Sequence, residues 1–255
     1  MQPGGYTRRF YRRWQNPCDL LPLEIRFRET DLHLFYHPVE GTAGEEEMAR
    51  DARRAVACCY NQLDAVISRW PAFRDALSPP PPPGWIGGGE LPLAEEMLDA
   101  CSPAGVGPMS AVAGAVAEWV GRTLLARTPQ VIVENGGDLF VATRRQRVML
   151  VYAGEDSPFR DRVRVRLPAS PAGLGVCTSS GKVGHSRSYG RTDAALVMAR
   201  SAAVADAFAT ALGNMVQGEQ DLEGAAAYAR SREQLLGGII IIGRRIALWG
   251  EVELV

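Results

Sequence analysis

The segment Ser201-Ala-Ala-Val-Ala-Asp-Ala-Phe-Ala-Thr-Ala-Leu-Gly-Asn-Met-Val216 constrains the fold more than any other stretch of the chain. Its residues are nearly all Ala, Val, Phe, Leu and Met, a composition that marks a helix buried on most of its circumference. Other elements must therefore surround it. Three polar side chains interrupt it, Asp206, Thr210 and Asn214, and their spacing of four sets a carboxylate, a hydroxyl and an amide in one row on one face. A buried carboxylate without compensation costs several kcal/mol, roughly, so a donor or a positive group must face this row. Asp and Thr oxygens one turn apart suit a hard cation such as Mg²⁺, which binds few protein ligands and completes its octahedron with water and phosphate oxygens. The alternative is that Thr210 bonds back to a carbonyl one turn earlier and Asp206 pairs with an arginine.

The surroundings of such a helix are legible in the periodicity. Leu23, Ile25 and Phe27 alternate with charged neighbours, and Leu32, Leu34 and Tyr36 follow the Glu29-Thr30-Asp31 turn at even spacing, which predicts an antiparallel hairpin. From about Glu45 to Trp70 the period changes to that of a helix, with Met48, Ala52, Val56, Cys59, Leu63 and Val66 in its stripe and three glutamates in its first turn. Pro79 to Pro83 and the glycines at 84 and 87–89 place a loop or rigid connector at 78–90, with Trp85 holding it to the surface. A helix is expected from Pro108 to Arg127, then strands at Gln130–Glu134, Leu139–Ala142, Val148–Tyr152, Arg162–Leu167, Gly175–Thr178 and Ala195–Met198. Helices at Ser201–Val216 and Asp221–Leu236 and strands at Ile239–Ile242 and Arg245–Trp249 close the chain. Mixed strands with segregated helices make the fold class α/β, of the mixed α+β kind, without the regular alternation of a Rossmann fold.

Composition excludes some functions. The 255 residues carry a formal net charge of −1, which argues against a globally basic nucleic-acid binder. The longest aliphatic run, Ile239 to Ile242, falls far short of the roughly 20 residues that span a bilayer, so no membrane partner is expected. The first 20 residues interleave Arg8, Arg9, Arg12 and Arg13 with Tyr6, Phe10, Tyr11 and Trp14 and lack an apolar stretch of export type, so they read as a basic aromatic arm. Five cysteines without a C-x-x-C pair fit a reducing, cytoplasmic setting.

Two further segments carry chemistry. In Glu134-Asn135-Gly136-Gly137-Asp138 a hairpin turn accounts for Asn135 and the glycines through their tolerance of positive φ, but not for the two acids. Residues 175–190 form a glycine-rich stretch dense in hydroxyls, among them Thr178, Ser179 and Ser180, with one imidazole, His185. The stretch has neither Walker A nor nucleophile-elbow spacing, and its inventory suits a polyoxygenated ligand and a general base. Cys177 is open to two readings, a packed strand residue or a reactive thiolate. His33 and His37 share a strand face but have no further metal ligand at suitable spacing.

Taken in order, Pro108-Met-Ser-Ala-Val-Ala-Gly-Ala-Val-Ala-Glu118, Val133-Glu-Asn-Gly-Gly-Asp-Leu139, Gly175-Val-Cys-Thr-Ser-Ser-Gly181, Gly184-His-Ser186 and Ala205-Asp-Ala-Phe-Ala-Thr-Ala-Leu-Gly-Asn214 resemble an ApbE-related family. The resemblance spans about residues 20–250; to ApbE itself, the FAD:protein FMN transferases, it is confined to roughly 105–215. It implies one ApbE-like domain over residues 1–255, related to T-fold architecture, whose two lobes hold a flavin site. It implies Mg²⁺ bound by Asp206, Thr210 and the carbonyl of Ala117. Flavin-nucleotide contacts then fall to Glu118, Asn135, Gly136, Gly137, Asp138, Thr178, Ser179 and Ser180, with His185 and Asp206 catalytic. The implied reaction is attack of a protein Ser or Thr hydroxyl on the FMN phosphorus of FAD, with AMP leaving and His185 accepting the proton. The implied partners are FAD and an acceptor protein, and a homo-oligomer is compatible with them. Where ApbE proteins often carry Lys-Gly-Tyr-Ala this chain has Glu118-Trp-Val-Gly121, and His185-Ser-Arg-Ser188 stands in place of a His-x-x-Asp-Pro segment. A flavin-binding accessory protein without transfer, serving sulfur assimilation, is the alternative reading.

Overall fold

A computed structural model of the chain describes residues 17–39, 44–181 and 190–255. The basic N-terminal arm up to residue 16, His185 and most of its loop lie outside the described residues. Eleven strands and six helices follow one another as β1 (Leu21–Phe27), β2 (Thr30–Tyr36), α1 (Glu45–Arg69), α2 (Ala72–Asp75), α3 (Pro92–Ala104), α4 (Val112–Leu124), β3 (Val131–Asn135), β4 (Asp138–Thr143), β5 (Arg147–Leu150), β6 (Arg164–Leu167), β7 (Ser170–Ser179), β8 (Ala194–Ala199), α5 (Ala202–Met215), α6 (Leu222–Arg230), β9 (Leu235–Ile242), β10 (Arg245–Gly250) and β11 (Glu253–Leu254) among the described residues.

Eight strands form one sheet in the order β1-β2-β3-β4-β7-β8-β9-β10, and β11-β6-β5 form a small second sheet. Every neighbouring pair is antiparallel. The period-2 alternation of each strand divides its side chains between two cores. Ala195, Val197, Ala199, Cys177, Phe140, Ile240 and Ile242 face the helices, while Leu196, Met198, Val176, Val141, Ile239 and Ile241 face the small sheet. Both faces of the central strands are thus covered, which is why β8 is buried at all six positions. Among the described residues no single helix is long and apolar enough to cross a membrane.

The helix at 45–69 matches expectation, with Glu45, Glu46 and Glu47 in its first turn and a buried stripe from Met48 to Val66. Trp85 does hold the proline-glycine segment down, because the Arg69 guanidinium lies over its ring at 3.8 Å. Helix α3 is absent from the sequence reading. It starts with Pro92 in its first turn, ends at Gly105 with φ 71°, and buries Leu93, Ala94, Met97, Ala100, Cys101 and Ala104 at helical spacing. The expected helix to Leu236 is shorter: α6 stops at Arg230, and Leu235 and Leu236 already belong to β9. The strand expected at Val148–Tyr152 runs instead from Arg147 to Leu150.

Candidate functional site

Helix α5 lies on the sheet against β7 and β8 and is flanked by α3 and α4, which accounts for its nearly all-apolar surface. Its close approach to its neighbours depends on two glycines. A Cβ on Gly175 of β7 would stand 2.4 Å from the Ala202 Cα, and one on Gly114 of α4 would stand 2.2 Å from the Ala202 carbonyl oxygen. The two helices run antiparallel where they touch, and each supplies a carboxylate to the other's N-terminus.

Asp206 accepts the backbone N–H of Gly114 through Oδ2 at 2.9 Å. One turn along α4, buried Glu118 accepts the Ser201 hydroxyl at 2.9 Å and the Ala202 N–H at 2.7 Å through Oε2, and Arg122 pairs with its other oxygen. First-turn N–H groups have no partner within their own helix, so both acids meet donors that packing would otherwise strand. Glu118 is thereby committed to α5.

Asp138 stands at the other side of Asp206. The turn that carries it has both central residues at positive φ, 75° at Gly136 and 112° at Gly137, as a two-residue type I′ hairpin requires. Glu134 closes the same turn by accepting the Gly137 N–H at 3.1 Å. Asn135, opposite Asp138 in register, donates from Nδ2 to the Ala113 carbonyl at 3.2 Å and ties the hairpin to the start of α4. Asp138 Oδ1 accepts the Thr178 N–H at 3.3 Å. Burial pushes the Asp206 carboxyl well above the ordinary carboxylate range, the Asp138 charge adds to the rise, and the N–H groups of Gly114 and Ala113 oppose it.

The structure therefore gathers Asp206, Asp138, Asn135, the start of α4 and the end of β7 into one cluster. No arginine pairs with Asp206 among the described residues, and the Thr210 hydroxyl, half-buried, makes no bond back to the preceding turn. Asn214 follows in the last turn of α5, where Arg191 donates its N–H to the Val216 carbonyl at 2.9 Å. The row Asp206-Thr210-Asn214 thus leads from the acid pair towards Gly190 and Arg191, which follow His185 in the chain. Thr178 and Ser179 point to opposite faces of β7: Ser179 shares the helix face with Cys177, and Thr178 contributes its backbone N–H to Asp138. Gly136 and Gly137 form the turn itself, and Ser180 follows at the end of β7.

The α4 backbone groups that touch Asp206 belong to Ala113 and Gly114, while Ala117 lies one turn further along. Neither residue of this pair has a functional side chain, so no residue type in the sequence announces it. Their one signal is the glycine that lets α4 and α5 approach. Cys177 is fully buried and donates to the Ala202 carbonyl at 3.3 Å; burial pushes its thiol up, and the charges of Asp138 and Asp206 add to this. It is a packed strand residue.

Around Asp206 stand the Asp138 carboxylate and the backbone N–H groups of Gly114 and Ala113, and among the described residues no group of three or more His, Cys, Asp or Glu side chains is placed to hold a metal ion. Two acids in a buried place are still an excess of negative charge that a hard divalent cation, completing its shell with water and phosphate oxygens, would relieve.

The fold is that of an ApbE-like mixed α/β protein. The flavin transferase ApbE of Vibrio cholerae superposes with a TM-score of 0.54 at 14% identity, covering 91% of this chain and 97% of that one. The Pseudomonas stutzeri flavinyl transferase ApbE gives 0.54 at 15% identity over 90% and 93%. A family model described as AbpE bacteria matches residues 12–245, and the chain belongs to that family. Its relatives include the UPF0280 proteins of Methanopyrus kandleri, 42% identical over 77% of this chain and 75% of that one, and of Methanothrix thermoacetophila, 36% identical over 82% and 86%.

Proposed function

We propose that this protein is a flavin transferase that uses FAD as donor and, with Mg²⁺, places FMN on a Ser or Thr hydroxyl of an acceptor protein. The observation that carries the reading is the Asp206 carboxylate buried against Asp138 with no cationic side chain beside it among the described residues. Asp206 and Thr210 would hold the ion, with a carbonyl from the same stretch of α4, that of Ala113 or of Ala117. A bound divalent cation supplies charge neutralisation for a pyrophosphate.

The remaining roles belong to the chain. The Gly136-Gly137 turn gives a nucleotide access to backbone, and Asn135 fixes the turn against α4. Asp138, Ser179 and Ser180 offer polar groups to the flavin nucleotide at this end of the sheet, and the Thr178 N–H holds Asp138 in place. Glu118 orients α5, and with it Asp206. His185, from the sequence, takes the proton of the attacking hydroxyl; the new oxygen–phosphorus bond forms at the FMN phosphorus as the bond to AMP breaks.

The test is incubation with FAD and Mg²⁺ in the presence of Ser- and Thr-bearing proteins, followed by intact-mass analysis and assay of AMP. An FMN adduct with equimolar AMP supports transfer. FAD bound tightly with neither product supports a non-transferring flavin-binding protein instead. No FAD binding with or without Mg²⁺ overturns both.

A further inference from the structure

β10 ends the eight-stranded sheet, and its outer edge pairs with no other strand among the described residues. Beside this edge, between the two sheets, opens a cleft of about 450 Å³ whose lining includes Phe159, Arg162, Arg164, Arg244, Ile246 and Leu254. None of its three arginines pairs with a carboxylate side chain among the described residues. Glu253 is bound to Arg166 at 2.7 Å, Asp161 to Arg160 at 3.4 Å, and Glu219 accepts the backbone N–H of Arg244 at 3.4 Å. Apolar groups are exposed at the same place: Leu254 is 48% exposed, and Leu248, on the same face of β10 as Ile246, is 36% exposed.

An unpaired strand edge is a template for another strand, and the side chains around it select which one. Arginine forks favour carboxylates, and a second copy of this chain on the same edge would bring two arginine sets together. We propose that this edge and cleft dock an extended acidic segment of a partner protein. The segment adds a strand to β10, seats carboxylates on Arg162, Arg164 and Arg244, and lays an apolar side chain between Phe159 and Leu254.

The position connects this surface to the acid cluster. Gly243, just before Arg244, donates to Asp193 at 2.8 Å, and β8 starts at the next residue, with Ala194 opposite Ile241 and Ala195 opposite Ser179. The Arg244 end of β10 and Asp138 therefore lie at the same end of the sheet. Four inter-strand steps of about 4.8 Å separate β10 from β4, a span of about six extended residues. Naming the docked segment as the acceptor rests on the transfer reading above; the docking does not.

The test is fluorescence anisotropy with the full chain and a labelled ten-residue peptide alternating Glu with Val, against the same peptide with Lys for Glu. The expected result is salt-sensitive binding of the acidic peptide alone, weakened at least tenfold in Arg162→Glu/Arg244→Glu, a change of exposed residues whose melting curve verifies folding. Equal binding of the two peptides, or unchanged affinity in the variant, overturns the proposal. So does saturation of the cleft by inorganic pyrophosphate with no peptide bound, or a dimer that the variant dissociates. FAD is absent throughout, so failure of FMN transfer leaves this result standing, and the reverse.

Discussion

Asp206 of α5 accepts the N–H of Gly114 at the start of α4, while Glu118 of α4 accepts the N–H of Ala202 at the start of α5. Each acid lies near one helix N-terminus and is presented by the other helix. The exchange fixes the relative position of α4 and α5, and it leaves the acids in different states. Glu118 has an arginine beside it, and Asp206 has a second carboxylate. The first is a structural cap, and the second shares a buried place with another acid.

That imbalance makes stability depend on pH. Since the Asp206 carboxyl is raised above its ordinary value of 3.8, the folded chain keeps the proton to higher pH than the unfolded chain does. The associated stability is full below about pH 4 and is lost as the pH rises through the folded value. Asp206→Asn removes the ionisation and keeps an acceptor for Gly114. In chelator, its melting temperature should exceed that of the wild type at pH 8, by about 2–4 °C for each kcal/mol recovered, with the difference closing towards pH 4. A difference that grew on acidification would contradict the assignment.

A divalent cation should reverse the sign. Bound only to the folded state at a hundred times its dissociation constant, Mg²⁺ adds about 2.7 kcal/mol, which differential scanning fluorimetry reads easily. The increment should be larger at pH 8 than at pH 5, because protonated Asp206 is a poor ligand. It should vanish in Asp206→Asn and fall in Thr210→Val. An equal increment in all three proteins would place the ion elsewhere.

Glu118 invites the opposite expectation. Removing it strands the Ala202 N–H and the Ser201 hydroxyl, while Arg122 keeps its pair with Glu96, so Glu118→Ala should cost about 1–3 kcal/mol in denaturant unfolding. Glu118→Gln keeps an oxygen for Ala202 and should cost less than half of that. Because α5 carries Asp206, the Ala variant should also lose the Mg²⁺ increment while Asp206 is still present.

What the sequence disclosed follows from how each signal is written. The strands around β8 are written as short continuous apolar runs and helix α1 as a helical stripe, and both stand where expected. The row Asp206-Thr210-Asn214 was legible because polar residues are conspicuous in an alanine-rich helix. Helix α3 has the same kind of stripe, from Leu93 to Ala104, but five prolines and four glycines precede it and Pro103 lies inside it, so local breakers outweighed the period. The Ala113 and Gly114 contacts to Asp206 are made by backbone, which no residue type announces. Glu118 could be picked out as an acid near the site, yet only the packing of α4 on α5 reveals that its charge is spent on Ala202 and Arg122.

Cysteine chemistry gives the last prediction. Cys18 and Cys58 are exposed, whereas Cys59, Cys101 and Cys177 are buried. Burial holds the Cys59 thiol up to about 12 and raises Cys101 and Cys177 as well; the Asp206 charge adds to the latter two. Since only the thiolate reacts at a useful rate, the native protein at pH 8 should release two equivalents of chromophore from an aromatic disulfide reagent, and the other three only after unfolding. Cys177→Ser should leave the native count unchanged. Prompt modification of Cys177, located by peptide mass, would mean that the thiol beside Asp138 opens to solvent, and would return it to the list of reactive groups at this site.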